Sequence, residues 1–479
     1  MRANKNTGLA VLLWLAVVAV CVFVLWLGSS SGQSTASEAP TGFDTLTNGF
    51  VDQATHDADR DKFEERDTVQ KGLGPVYNAE DCAQCHATPV TGGSSQLAEL
   101  RAGHNDAQGN FVPATVVINI SGPVGVLPAG AAPQVSTSSE SNIPVRITVT
   151  GKAITIANRS LINQRAICPG TVTDTDTHQV IFNHPNEEVE ERIPDSEPIR
   201  GRRIAPSLMG LGFVEALADD TIRDLAKAQP FEMRGHATLV PVAEANGALR
   251  VGRFGWKCQH ASLLSFSSDA YLNEVGITNH LSPTEIVTLC EDQHGQPCTA
   301  NPKEFCGEDP EDDTSGFAQF VRATKAPPRN AALAATPEAQ AGERLFRSLG
   351  CNICHTESLT TAPAGTVING GKFTVPVALG NKIIHPFSDF LLHDVGTGDG
   401  IIQSMVPGRN ALDQSTRNRF RTAPLWGLRM RNELMHDGLS RTVNDAILRH
   451  RKEAAGVTNK FRKLSKTEKR RLITFLNSL

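Results

Sequence analysis

Two pentapeptides of one form constrain this chain more than any other feature: Cys82-Ala-Gln-Cys85-His86 and Cys351-Asn-Ile-Cys354-His355. In each, two thiols stand one turn apart and an imidazole follows directly. That spacing lets both sulfurs add to the vinyl groups of one porphyrin while the histidine reaches the iron from the same side. A structural zinc site of this kind needs a further ligand pair nearby, and neither motif has one. A thioredoxin-like redox pair needs a strand–helix–strand setting, which is absent around both. The expectation is two covalently attached c-type haems. Cys82, Cys85, Cys351 and Cys354 are the attachment points, and His86 and His355 the proximal iron ligands.

Haem attachment of this type takes place outside the cytoplasm, and the N-terminus agrees with export. Arg2 and Lys5 precede an unbroken apolar run from Gly8 to Gly28, followed by a polar stretch from Ser29 to Ser37. Residues 1–28 read as a signal peptide or a membrane anchor: the run is long enough to span a bilayer, and no small-residue cleavage site follows it. The expected location is periplasmic, with residues 8–28 holding the chain to the inner membrane. Export permits disulfides among Cys168, Cys258, Cys290, Cys298 and Cys306, and the odd number leaves at least one thiol free. A formal net charge of -5 argues against a nucleic-acid partner, which needs a concentrated basic surface.

At 479 residues the chain is too long for one ordinary core. Residues 29–45 read as a linker, 46–330 as an N-terminal haem domain and 331–479 as a C-terminal cytochrome c domain. From about 111 to 193 the pattern turns β-like. Val116, Val117 and Ile118 form a β-branched run, and Val145, Ile147 and Val149 alternate with polar neighbours before Gly151, with Ile154 and Ile156 after it. This predicts a hairpin in a β-rich insertion. From Arg200 to Leu333 helices and loops are expected, with a capping box at Ser282–Glu285. Thr336-Pro337 opens a helix that Gly350 ends directly before Cys351. Thr442 caps a short helix carrying Ile447 and His450, and Ser465 with Glu468 opens the last helix. The predicted fold class is mainly α: two cytochrome c-type domains, with the β-rich insertion in the N-terminal one, and the C-terminal domain all-α.

The sixth iron position decides what such a haem does: filled, it favours electron transfer; open, it admits oxygen or peroxide. Candidates for the C-terminal haem are His385, His393, His436, His450, Met405, Met430 and Met435. For the N-terminal haem, His56 and His104 are near in sequence, and surface histidines are the plainer reading of both.

Several longer segments give the chain a family likeness: Gly72-Leu-Gly-Pro-Val-Tyr-Asn78, Ala205-Pro-Ser-Leu-Met-Gly-Leu-Gly-Phe-Val-Glu215, Gly252-Arg-Phe-Gly-Trp-Lys257, Ala270-Tyr-Leu-Asn-Glu274, His385 to Asp394, Arg421-Thr-Ala-Pro-Leu-Trp426 and Met435-His-Asp-Gly438. In these it resembles the di-haem c-type oxidoreductases, relatives of bacterial di-haem cytochrome c peroxidase. The resemblance implies that Trp256 carries electrons between the haems and that Glu274 moves protons during peroxide cleavage at an open N-terminal haem. It also places the distal ligand of the C-terminal haem at His450, where the peroxidases use methionine; two histidines give a lower potential. His436, His393 and Arg421 are expected at a haem edge or propionate. Thr422-Ala-Pro424 matches a short pattern whose carbonyls hold calcium in the relatives.

The expected activity is therefore peroxide reduction, with electrons from a small electron-donor protein or a quinol-linked donor entering at the C-terminal haem. A pure electron carrier, and an oxidase acting on a protein side chain or thiol, are the alternatives.

Overall fold

The computed structural model describes residues 36–68, 71–74, 76–120, 152–156, 159–166, 172–173, 180–182, 193, 195–283, 309, 312–406 and 411–479. The apolar run from Gly8 to Gly28, the strand expected at 145–149, the capping box at Ser282–Glu285 and Cys168, Cys290, Cys298 and Cys306 lie outside these. Among the described residues no helix is long and apolar enough to cross a membrane.

Local signals written in the chain form as physics dictates. Helix α1, Gln53–Glu64, starts at Asp52, whose carboxylate accepts from the Thr55 amide. Helix α2 is Leu263–Ala270, capped by Ser262, and α3 is Asp313–Ala323. Helix α4, Pro337–Leu349, has Thr336 as its cap and Pro337 in its first turn; Gly350 ends it at φ 96°. Helix α5 is Val443–Arg449, capped by Thr442, so His450 stands just past its end and not within it. Helix α6 is Ala455–Lys463, and α7, Lys466–Leu476, opens with the full Ser465/Glu468 capping box.

Helix α7 packs across α4, as a C-terminal helix crossing the one before the haem motif should. The crossing is close because Gly342 lacks a side chain: a Cβ there would lie 2.0 Å from the Arg471 carbonyl oxygen and 2.8 Å from Phe475 Cβ. Phe346, Phe387, Phe461, Leu472 and Phe475 fill the core around it. Gly342→Ala gains helix propensity but forces the two backbones apart. It should destabilise the protein by about 1–3 kcal/mol, read as a lower denaturation midpoint. An unchanged midpoint would mean that the crossing has room for a methyl group.

The β structure is wider than the sequence suggested. Strand β1 (Ala98–Asn105) pairs antiparallel with β2 (Phe111–Pro113), β3 (Leu161–Ile162) and β4 (Ile199–Ile204). The β-rich region therefore begins before residue 111 and runs past 193. Residues 152–156 form a strand, as the alternation implied, paired with Val116–Ile120. The stretch from Arg200 to Leu333 also holds a hairpin, β5 (Leu239–Val242) with β6 (Ala248–Val251), turned at Asn246 and Gly247. The all-α reading of the C-terminal region is corrected: short strand pairs join 359–360 to 382–384, 367–368 to 373–374 and 392–393 to 420–421. Strands of two or three residues are too short to show alternation. Of the described residues, 35% are helix and 17% strand. One large core cluster draws on both sides of residue 330, from Phe63 and Phe213 to Leu379, Phe390 and Trp426.

Candidate functional site

Two large cavities hold the two motifs. Each Cys-x-x-Cys-His run folds as a tight turn: the His86 amide donates to the Cys82 carbonyl at 3.1 Å, and the His355 amide to Cys351 at 3.0 Å. Cys82, Cys85 and His86 line a cavity of about 550 Å³, and Cys351, Cys354 and His355 line one of about 500 Å³. Both volumes suit a cofactor. Burial pushes the Cys85 and Cys351 thiols up to about 12 and brings both proximal imidazoles down to about 4, so each histidine is neutral with a free lone pair.

In the C-terminal cavity His450 faces His355. Their ring centres are 6.5 Å apart. Two imidazoles holding one metal ion from opposite sides, each at about 2 Å, have ring centres about 6.4 Å apart. Each ring is aimed by its other nitrogen. His355 Nδ1 meets the Phe387 carbonyl at 2.9 Å, and His450 Nδ1 meets the Ala446 carbonyl at 2.7 Å. The charged neighbour Arg449 turns away to Asp437. The other candidates fit less well. His385 is exposed beside Glu38, and Met405 is exposed. Met430 and Met435 line the cavity, but nothing sets either opposite His355.

The walls of this cavity suit an anionic cofactor. Arg421 is buried, with Nε donating to the Gly255 carbonyl at 2.8 Å and Nη1 lacking any partner. A buried guanidinium with an unpaired donor in a cofactor-sized cavity matches a carboxylate supplied by the cofactor. His393 also lines the wall, 3.7 Å from Cys354 Sγ, between Asp389 and Glu453, each 2.9 Å away. Burial alone would lower its pKa, but Asp389, Cys354 and Glu453 raise it to about 12, so His393 is an imidazolium. Thr422, by contrast, turns its carbonyl to the Ser388 hydroxyl at 2.6 Å.

The N-terminal cavity is different. His86 Nδ1 meets the Gly93 carbonyl at 3.2 Å. Among the described lining residues there is no methionine, and the one further histidine is His260, whose Nε2 is 3.2 Å from Asp269. His56 is buried against Phe320 and His104 is held by Glu197, both outside the cavity wall.

Glu274 does line it. Helix α2 ends in a π-turn at Tyr271–Val275, a geometry that recurs at functional sites. The Glu274 carbonyl accepts from the amides of Asn78 at 2.6 Å and Ala79 at 3.1 Å. Asn78 Nδ2 donates to the Glu274 carboxyl at 2.7 Å. The Gly72–Asn78 segment thus ties the glutamate to the approach to Cys82.

Sequence reasoning missed Glu99, which lines the same cavity and whose charge acts on Glu274. Glu99 and Arg101 alternate along β1 and so face the same side of the sheet. Arg101 grips both Glu99 oxygens, at 2.6 and 2.8 Å. Burial raises the Glu99 pKa, but Arg101 and Arg203 outweigh it and hold the group ionised. Burial first, then the Glu99 charge, pushes Glu274 up to about 7. Period-two alternation was the available signal, but nothing in sequence said which partner strand Glu99 would face.

Trp256 lines both cavities, as do Ile204, Ala205 and Pro206. Its indole N–H donates to the Ile204 carbonyl at 2.8 Å, and its ring meets Phe420 and His436 edge-on at 6.4 and 6.2 Å. His436 stacks on Phe420 at 3.6 Å. Lys257 Nζ lies 4.1 Å from the Phe420 ring centre. Burial lowers this lysine to about 7, against the pull of Asp399.

No curated protein matches the chain. Similar solved structures include a hydrazine synthase from Kuenenia stuttgartiensis, at 16% identity over 58% of this chain and 73% of that one, TM-score 0.28. A MauG-like protein associated with microbial copper homeostasis is 15% identical over 57% of this chain and 89% of that one, TM-score 0.28. The di-haem peroxidase BthA from Burkholderia thailandensis is 12% identical over 48% and 67%, TM-score 0.28. A family model described as "Di-haem oxidoreductase, putative peroxidase" matches residues 171–479. By that match this chain belongs to the di-haem oxidoreductase family.

Proposed function

We propose that the protein is a periplasmic c-type cytochrome that reduces hydrogen peroxide to water, anchored or exported by residues 1–28. Cys82, Cys85 and His86 would hold one haem, and Cys351, Cys354, His355 and His450 would hold the other. The observation that carries this reading is the asymmetry of the two cavities. One has His450 opposite His355; the other has, among its described lining residues, no histidine besides His86 except His260, which Asp269 holds, and a carboxyl whose pKa is held near 7. A pure electron carrier would need a second ligand in both.

The haems supply the redox chemistry: two electrons and two protons convert one peroxide to two waters. The chain's own residues do the rest. Glu274 takes the proton from the near peroxide oxygen and returns it to the departing one, as a positioned carboxylate can. Asn78 holds Glu274 in place, and Glu99 supports its protonated form. Trp256 occupies the wall common to both cavities, where a bridge for electrons belongs. His436 and Arg421 line the cavity where they would meet the C-terminal haem, Arg421 with a donor free for a carboxylate. Calcium would be held at Thr422–Pro424, where the Thr422 carbonyl already accepts from the Ser388 hydroxyl and keeps one lone pair.

The test combines three measurements on protein made in a host able to attach haem. The intact mass should exceed the polypeptide by two haems. Electron paramagnetic resonance of the oxidised protein should show one high-spin and one low-spin ferric centre. Peroxide turnover with a reduced cytochrome should exceed that of free haem. A wholly low-spin spectrum, or turnover no faster than free haem, ends the peroxidase reading.

A further inference from the structure

We propose that the outer surface of α6 and α7 is the docking face for an electron-donor protein with an acidic surface. This rests on the C-terminal haem being the point of electron entry.

Charge is divided unevenly along the chain. Residues 331–479 carry 21 Lys and Arg against 12 Asp and Glu, whereas residues 1–330 carry 25 against 39. The excess is densest at 451–471, with nine basic residues and two acidic ones. Both acids are consumed internally: Glu453 pairs with His393 and Arg419, and Glu468 caps α7. Arg451, Lys463, Lys466 and Arg470 are exposed and have no carboxylate within ion-pair distance among the described residues. Unpaired cations on a net-negative molecule make a local attractive field, and the rest of the surface repels an acidic protein. Such an arrangement steers and orients a partner more than it tightens its grip.

The position suits electron delivery. The inner faces of the same two helices supply Val457, Thr458, Leu472 and Leu476 to the cavity of Cys351 and His355. Lys460 Nζ reaches the Leu349 carbonyl at 3.4 Å, two residues before Cys351. A donor seated on the outer face is separated from the cavity by one helix thickness, about 10 Å. An anionic membrane is the less suitable occupant. Interfacial helices insert large apolar side chains beside their cations, and none is exposed on α6 or α7.

The test uses the protein with both haems attached. The anionic iron(II)–EDTA complex should reduce the C-terminal haem at least tenfold faster at low than at high ionic strength. The cationic hexaammineruthenium(II) should not be favoured by low salt. In calorimetry, an acidic plant-type ferredoxin should bind at low salt. The triple variant Lys463→Glu, Lys466→Glu, Arg470→Glu should weaken that binding at least tenfold and reverse the preference between the two reductants. Lys71→Glu, outside α6 and α7 and next to Glu65, should change neither. Melting curves check that the variants fold. Ferredoxin binding that ignores the triple substitution overturns the proposal, and so does patch-dependent binding to anionic phospholipid vesicles with none to ferredoxin. If ferredoxin binding depends on the patch but the N-terminal haem is reduced first, the docking face stands and the electron-entry reading fails.

Discussion

His450→Ala should turn the C-terminal haem from a low-spin to a high-spin ferric centre and raise its reduction potential by on the order of 100 mV, since axial ligation is a main lever on haem potentials. The reason is geometric. His450 sits at the C-cap of α5, where the chain leaves the helix at ψ 118°, and its Nδ1 contact to Ala446 aims Nε2 across the cavity. Its ring centre stands 6.5 Å from that of His355, the separation expected of two imidazoles sharing one ion. Burial lowers its pKa, which favours the neutral imidazole that iron ligation needs. His450→Met is the informative companion: it should restore a low-spin centre at a higher potential, because methionine ligation raises it. A low-spin signal that survives His450→Ala would assign the sixth position to Met430 or Met435 instead.

Glu274→Gln should lower peroxide turnover by about 10²- to 10⁴-fold while both haem spectra stay unchanged, the usual cost of losing a general acid–base group. Glutamine keeps the shape and the contact to Asn78 but cannot carry the proton. The wild-type carboxyl is pushed up to about 7, first by burial and then by the Glu99 charge. Acting as a base, it must be ionised in the free enzyme. kcat/KM should therefore rise with pH through about 7 and level off above it. Glu99→Gln removes the repelling charge, so the Glu274 pKa falls and the acid limb moves to lower pH. Arg101, Arg159, Arg203, Asp269 and Cys85 also surround this carboxyl in the cavity. Only the Glu99 charge is altered in that variant, although Arg101 loses its partner and is left a freer cation, which pushes the limb the same way. A limb that stays at about 7, or moves up, would mean that the two carboxyls do not share a field. Turnover unaffected by Glu274→Gln would remove the glutamate from the chemistry.

Short-range signals were legible because their physics is contained within a few residues. The caps at Thr336, Thr442 and Ser465 satisfy amides one turn away, and Gly350 reverses the chain where only glycine does so freely. The two Cys-x-x-Cys-His turns belong to the same class, and they named the cofactor without any fold. The family resemblance singled out Trp256, Glu274 and His450; Trp256 lines both cavities, His450 that of Cys351 and Glu274 that of Cys82. The small strands at 359–360, 392–393 and 420–421 were not legible, since they exist only through partners brought in by packing.

By itself, then, the sequence determined where the two Cys-x-x-Cys-His turns stand and where helices begin and end, since residue spacing and capping need no distant partner. Only the tertiary structure decided that His450 comes opposite His355 while no described residue of the other cavity does the same for His86, and that Glu99 on β1 lies near Glu274 at the end of α2. It also decided that Trp256 stands in a wall shared by both cavities. These juxtapositions follow from strand register and side-chain packing between residues far apart in the chain, which no local pattern encodes.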